Sequence, residues 1–314
     1  MKNLRPTMDF AATHRAVEEL SQKQLFFVGG TIKSGTTWVQ VLLNGHPEVS
    51  CCGESHLFDV LAPALASAVT EHSNWLADIN SAIFENVQSL QGLSPGDLKY
   101  LIATAFYVML ARSRKSRKVS VVGEKTPDNI RFLDHMDLLF KDAKFIHVVR
   151  DGRDCAVSGW FQNLRINPAK TFEMYPTMTD YVRAFAAEWV ADLQRGARFA
   201  QRAPTRYHLV RYEELGAQPV ATLSALYRFL GVAWDFDLVK SCCDAAAFKQ
   251  MTHGRNKGDE DRDSFFRKGL SGDWRNHFTP DMMSVFAETA GKWLAVLGED
   301  APGAVSGLLP HSLV

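Results

Sequence analysis

Four short apolar runs, each followed by a stretch with helical spacing, restrict the folds open to this chain. They are residues 24–29 (QLFFVG), 119–123 (VSVVG), 144–150 (KFIHVVR) and 207–212 (YHLVRY). Runs this short, ending at a glycine or a polar residue, read as strands buried on both faces. Helical spacing begins near Thr37 and stops at Gly45-His46-Pro47. It recurs over residues 57–70, 95–114, 155–164, 179–201, 218–230 and 280–297. Strands alternating with helices predict an α/β fold: a central parallel sheet with helices on both faces. Ligands of such sheets sit beyond the carboxyl ends of the strands. The reading is of one domain over residues 1–314, with residues 1–22 as an N-terminal helical segment.

Composition narrows the partners. Lys+Arg and Asp+Glu both number 35, so no net field draws nucleic acid or an anionic membrane surface. No window offers about 18 apolar residues without charge, so no membrane span is expected. The polar start lacks a signal-peptide stretch. The five cysteines, Cys51, Cys52, Cys155, Cys242 and Cys243, fit neither a disulfide framework nor a zinc spacing. The expectation is of reduced thiols in a cytoplasmic protein without a metal.

Residues 26–38 read FFVGGTIKSGTTW. A strand, a Gly/Ser/Thr loop and a helix start in succession gather backbone amides and the helix dipole around one point, which suits an anion. Lys33 adds charge, Ser34, Thr36 and Thr37 add hydroxyls, and Gly35 allows close approach. The lysine precedes the glycine here. In the Walker pattern it follows the glycine and carries a Ser/Thr for magnesium after it. The site is P-loop-like without the magnesium arrangement. An ordinary strand–helix turn would share these residues. A second anion site is legible in 145–161, FIHVVRDGRDCAVSGWF, where Arg150 ends a strand and Ser158 lies on the next helix. Arg150 could instead pair with Asp151 or Asp154. A third is the basic turn Arg267-Lys268-Gly269 in RKGLSGDWR, residues 267–275.

These three stretches, in this order, resemble the PAPS-dependent sulfotransferases, where PAPS is 3′-phosphoadenosine-5′-phosphosulfate. TIKSGTTW resembles the family's 5′-phosphosulfate loop T-Y-P-K-S-G-T-T-W, with Ile32 in place of proline. Arg150, Asp151, Asp154 and Ser158 match its 3′-phosphate motif R-[ND]-x-x-D-x-x-x-S. The 267–275 turn resembles its R-K-G-x-x-G-D-W-K. The resemblance implies PAPS as co-substrate, PAP as product and no metal. It also implies that Trp38 and Phe248 sandwich the adenine, with Tyr212 near the base. Arg153 is a weaker candidate contact.

Sulfuryl transfer needs positioning, charge stabilisation and a base for the acceptor proton. Lys33 would neutralise the leaving phosphate. Lys125, in Gly123-Glu124-Lys125-Thr126-Pro127, would reach the sulfuryl oxygens, or else pair with Glu124 or Asp128. The cytosolic branch places a histidine where this chain has Pro127. A Glu-base, heparan-sulfotransferase-like branch uses E-x-H-F-F, and Glu54-Ser55-His56-Leu57-Phe58 resembles it. Glu54 is therefore the expected base, in a dry pocket, with His56 as support or alternative. Both could instead cap the helix near Leu57.

The expected reaction passes a sulfuryl group to a hydroxyl or amine of a small-molecule acceptor. The alternatives are a P-loop nucleotide kinase or hydrolase and a non-catalytic adenine-nucleotide binding module. Acceptor pocket candidates are residues 57–75, 84–107, 163–181 and 253–266. The stretch 252–268 is either a mobile lid or a solvated loop. A homodimer stays open, without a clear match to the K-x-x-x-T-V-x-x-x-E dimer motif of cytosolic members.

Overall fold

The computed structural model describes residues 9–84, 91–116 and 118–298. Residues 1–8 of the N-terminal segment and 85–90 of one candidate pocket segment lie outside these. Five strands form one parallel sheet: β1 (Gln24–Gly29), β2 (Val49–Cys52), β3 (Val121–Lys125), β4 (Lys144–Val149) and β5 (Tyr207–Arg211). Their order across the sheet is β2-β3-β1-β4-β5. The helices are α1 (Phe10–Ser21), α2 (Thr36–Gly45), α3 (Ala62–Ala82), α4 (Pro95–Ser113), α5 (Leu133–Leu139), α6 (Gly152–Ile166) and α7 (Pro168–Met174). They continue as α8 (Met178–Arg202), α9 (Tyr212–Ala217), α10 (Pro219–Leu230), α11 (Phe236–Ala245), α12 (Phe248–Met251) and α13 (Pro280–Val296).

The strands are apolar because both faces are covered. Phe26 and Phe27 point to opposite sides, as neighbours on a strand must. Phe27 packs with Phe58, Phe106 and Phe140 beneath α3 and α4. Phe26 joins Val28, Leu42, Leu43, Ile146 and Tyr227 between the sheet, α2 and α10. Each fully buried phenylalanine contributes about 1.5–3 kcal/mol of transfer free energy. A third cluster, with Trp160, Trp189, Phe286 and Trp293, binds α6, α8 and α13 together.

Three differences from the sequence reading affect the site. The strand β2 was not expected. Its four residues, VSCC, are too few to show a period, yet they pair with β3 in register, Cys51 opposite Gly123. The run expected over 119–123 instead forms β3 from Val121 to Lys125, so Glu124 and Lys125 end a strand. The helix expected over 57–70 starts as a π turn, Leu57–Leu61, and then runs as α3 to Ala82.

Candidate active site

Each of the five strands delivers a site residue at or just past its carboxyl end. β1 leads to Lys33, β2 to Glu54, β3 ends on Lys125, β4 leads to Arg150 and β5 to Tyr212. This follows from parallel pairing, which puts all carboxyl ends on one edge of the sheet.

The loop after β1 turns into α2 at Gly35, whose φ of +102° only glycine adopts without strain. The Tyr212 ring lies directly beneath it, so an added Cβ would come within 2.5 Å of that ring. The first amides of α2 have no intrahelical acceptor and face the same point. Lys33 donates to Gln162 Oε1, and its ammonium sits 4.3 Å from the centre of the Phe265 ring. Burial, and then the charges of Arg150 and Arg165, push the Lys33 pKa down to about 8. Ser34 is buried under the loop, its hydroxyl without a partner among the described residues.

Arg150 lies across Tyr212, 4.3 Å from its ring centre, and donates to the Leu270 carbonyl at 2.8 Å. Its Nε is buried without a hydrogen-bond partner among the described residues, and so is that of Arg267. Both arginines line the cleft, where their charge suits a phosphate. Asp154 lies 3.5 Å from Arg150 but bonds chiefly elsewhere. It accepts from the Gly272 amide at 2.6 Å and the Trp274 amide at 2.9 Å. Asp154 therefore ties the 267–275 turn to the start of α6. Arg153 is buried between Asp151 and the Trp274 ring and does not line the cleft.

In the turn itself, Gly269 has φ +70° and presses against Phe248, leaving no room for a side chain. Arg267 pairs with Glu260 at 2.5 Å and with Asp273, and Lys268 pairs with Asp273 at 2.6 Å. Partial burial opposes ionisation of Asp273, but bonds from Lys268, Arg267 and Asn276 hold its carboxyl far below the usual range. Trp38 donates its indole N–H to the Ala246 carbonyl at 3.0 Å and meets Tyr212 edge-on.

On the other side, Lys125 donates to Glu54 Oε1 at 2.6 Å. His56 Nε2 is 3.6 Å from the second Glu54 oxygen, and its Nδ1 is 2.7 Å from Asp59. The hydrogen bond to Asp59 raises the His56 pKa. The dry pocket expected around Glu54 is not present, since its side chain keeps 41% of its exposure. Lys125 is paired, but with Glu54 and not with Glu124 or Asp128. Glu124 is fully buried and accepts from the Ser55 amide, the Thr126 hydroxyl and Asn129. It fixes the loop that carries Glu54 to the end of β3. Sequence reasoning gave Glu124 no such part, although a carboxylate ending an apolar strand was its signal.

One cleft of about 230 Å³ collects Lys33, Gly35, Thr36, Thr37, Trp38, Glu54, Arg150, Ser158, Tyr212, Phe248, Arg267, Lys268 and Gly269. Lys125, His56 and Ser34 are not among the residues that line it. A profile of the sulfotransferase family matches residues 26–236, which hold the cradle, Glu54, Lys125 and Arg150.

The chain belongs to the sulfotransferase family.

Its relatives include protein-tyrosine sulfotransferases and sulfotransferases whose names state no acceptor. It is 23% identical over 280 residues to a putative protein-tyrosine sulfotransferase of Caenorhabditis briggsae, covering 88% of this chain and 90% of the other. It is 27% identical over 148 residues to human sulfotransferase 2A1, covering 44% of this chain and 51% of the other. This chain thus spans nearly all of the first protein and about half of the second. Among solved structures, mouse sulfotransferase SULT7A1 complexed with PAP shares the fold, with TM-score 0.55 and 18% identity. That match covers 96% of this chain and 99% of the other.

The sulfotransferase has a second cavity of about 370 Å³ between α6, α7 and α8. Ile32 lines both cavities, so the second begins where the cradle ends. Its walls include Ile166, Met174, Tyr175 and Phe185, with Lys170 and Glu188 as charged members. The Tyr181 hydroxyl, also in its wall, is buried without a hydrogen-bond partner among the described residues. All five cysteines are free. No helix among the described residues is long and apolar enough to cross a membrane.

Proposed function

We propose that this sulfotransferase moves a sulfuryl group from PAPS to a hydroxyl or amine of a small-molecule acceptor. One observation carries this reading: Lys33, Arg150 and Arg267, far apart in sequence, line a single cleft with Trp38 and Phe248. Cationic side chains and flat aromatic faces in one cleft suit a doubly phosphorylated adenosine.

PAPS supplies an activated sulfuryl group on its 5′-phosphate. The amides of α2, Lys33, Thr36 and Thr37 hold that phosphate end. Arg150, Ser158, Arg267, Lys268 and the Gly269 backbone hold the 3′-phosphate. Trp38, Phe248 and Tyr212 hold the base. Glu54 takes the acceptor proton, while Lys125, buried behind it, orients Glu54 and adds positive charge to that side of the cleft. His56 holds the second Glu54 oxygen. The acceptor's body lies in the second cavity, past Ile32.

The test is titration calorimetry with adenosine 3′,5′-bisphosphate and with AMP, followed by a mass-spectrometric sulfation screen. The screen covers phenols, alcohols, amines, sugars and tyrosine peptides. Tight bisphosphate binding, weak AMP binding and a sulfated small molecule are expected. Equal binding of AMP, or a magnesium-dependent transfer from ATP, would overturn the reading. Sulfation of peptides alone would replace the small-molecule acceptor with a protein.

A further inference from the structure

Residues 252–268 bring Lys257, Phe265, Phe266, Arg267 and Lys268 to the cleft. Yet this strap contains no helix or strand and no buried residue. A segment without a core keeps its shape only through polar contacts. Five of those contacts converge on one side chain, Arg255. The Arg255 guanidinium donates to the carbonyl oxygens of Asp259 at 3.3 Å, Phe266 at 2.6 Å and Arg267 at 3.2 Å. It also donates to the Ser264 hydroxyl at 2.8 Å, and its Nε is 3.8 Å from the Asp261 carboxylate. The same group lies 5.6 Å from the centre of the Phe248 ring. Backbone bonds from Gly258 to Lys268 and from Asp261 to Arg267, each 2.9 Å, close the strap around it.

We propose that Arg255 is the positioning residue of this strap. Its guanidinium sets the path of residues 259–267, and so places Phe265 over Lys33 and Arg267 in the cleft that Arg150 also lines. It touches neither nucleotide nor acceptor in this scheme. It acts through the residues it holds. The planar fork of donors is essential, because a lysine ammonium cannot reach four diverging acceptors at once. Arg255→Lys should therefore behave like Arg255→Ala.

The proposal rests on the PAPS reading for its binding and kinetic tests. Arg255→Ala and Arg255→Lys should each raise the Kd for adenosine 3′,5′-bisphosphate about tenfold, the scale of losing charge-assisted hydrogen bonds. The KM for PAPS should rise in step, while kcat at saturating PAPS stays within about twofold and the melting temperature barely moves. Ser264→Ala, which removes one acceptor, should show a smaller shift in the same direction. Hydrogen exchange supplies a measurement independent of ligand. The Gly258 and Asp261 amides should exchange faster in both Arg255 variants. Unchanged exchange, full rescue by lysine, or unchanged bisphosphate affinity where the wild type binds it would each overturn the role. If the wild type binds no bisphosphate, the PAPS reading fails, and the exchange rates still decide the case for Arg255.

Discussion

Lys125 donates to Glu54 across 2.6 Å, joining the end of β3 to the loop after β2. The lysine is almost wholly buried, whereas Glu54 opens to the cleft. The pair presents one carboxylate oxygen to the cation and keeps the other for His56 or an acceptor. Removing the carboxylate charge while keeping its shape isolates its part as base. Glu54→Gln should leave bisphosphate binding intact and lower transfer by about 10²–10⁴-fold, the range for losing a general base. His56→Asn should cost far less. The hydrogen bond that His56 donates to Asp59 favours the protonated ring, which makes it the poorer proton acceptor. An unchanged rate in Glu54→Gln would move the base to His56.

Lys33 gives a pH dependence. Burial is the main reason that its pKa falls to about 8, with Arg150 and Arg165 adding to it. The ammonium form is the one that binds an anion. Affinity for the bisphosphate should be full below pH 8 and decline above it, by up to about tenfold per pH unit. Lys33→Arg, charged throughout, should give a flat profile over the same range. Lys33→Ala should lose about 10²–10³-fold in transfer, as when a preorganised charge stabiliser is removed. Wild-type turnover in Lys33→Ala would reject its role.

Gly35→Ala should abolish bisphosphate binding and lower stability by about 1–3 kcal/mol, the usual range for a strained backbone. Two causes add here. The φ of +102° disfavours any side chain, and the Tyr212 ring fills the space that a methyl group would take. Calorimetry and thermal melts on one preparation check both effects. Normal binding would mean that the loop can re-form without this turn.

Much of this arrangement was legible in the sequence because its cause is local. A strand that must be buried on both faces shows itself as QLFFVG, and β1 begins and ends where that run does. The first two anion loops lie next to their strands, so their residues follow by adjacency. What was not legible depends on contacts between distant segments. The short β2 is a strand because β3 lies beside it. Glu124 matters because Ser55, 69 positions away, donates to it. Asp154 reads as a phosphate-motif member, yet its bonds run to Gly272 and Trp274. The single stretch 252–268 gave no hint that Arg255 would gather its neighbours' carbonyls. Composition there favoured a solvated loop and a lid equally.

The second cavity yields the last prediction, on acceptor choice. Ile166 and Met174 are apolar yet 67% and 58% exposed, an arrangement that wastes hydrophobic surface unless something covers it. Both line the cavity that starts at Ile32, opposite buried Phe185 and Tyr181. An apolar acceptor body seated there would regain that contact. Ile166→Glu should raise the acceptor KM about tenfold, the effect of one apolar side chain's burial. The KM for PAPS should not change, because Ile166 is absent from the nucleotide cleft. Folding should also hold, since the position is exposed. The measurement pairs initial rates over both substrates, using the best acceptor from the screen. Parallel rises in both KM values would mean that the substitution disturbs α6 and Ser158 instead. An unchanged acceptor KM would place the acceptor outside this cavity.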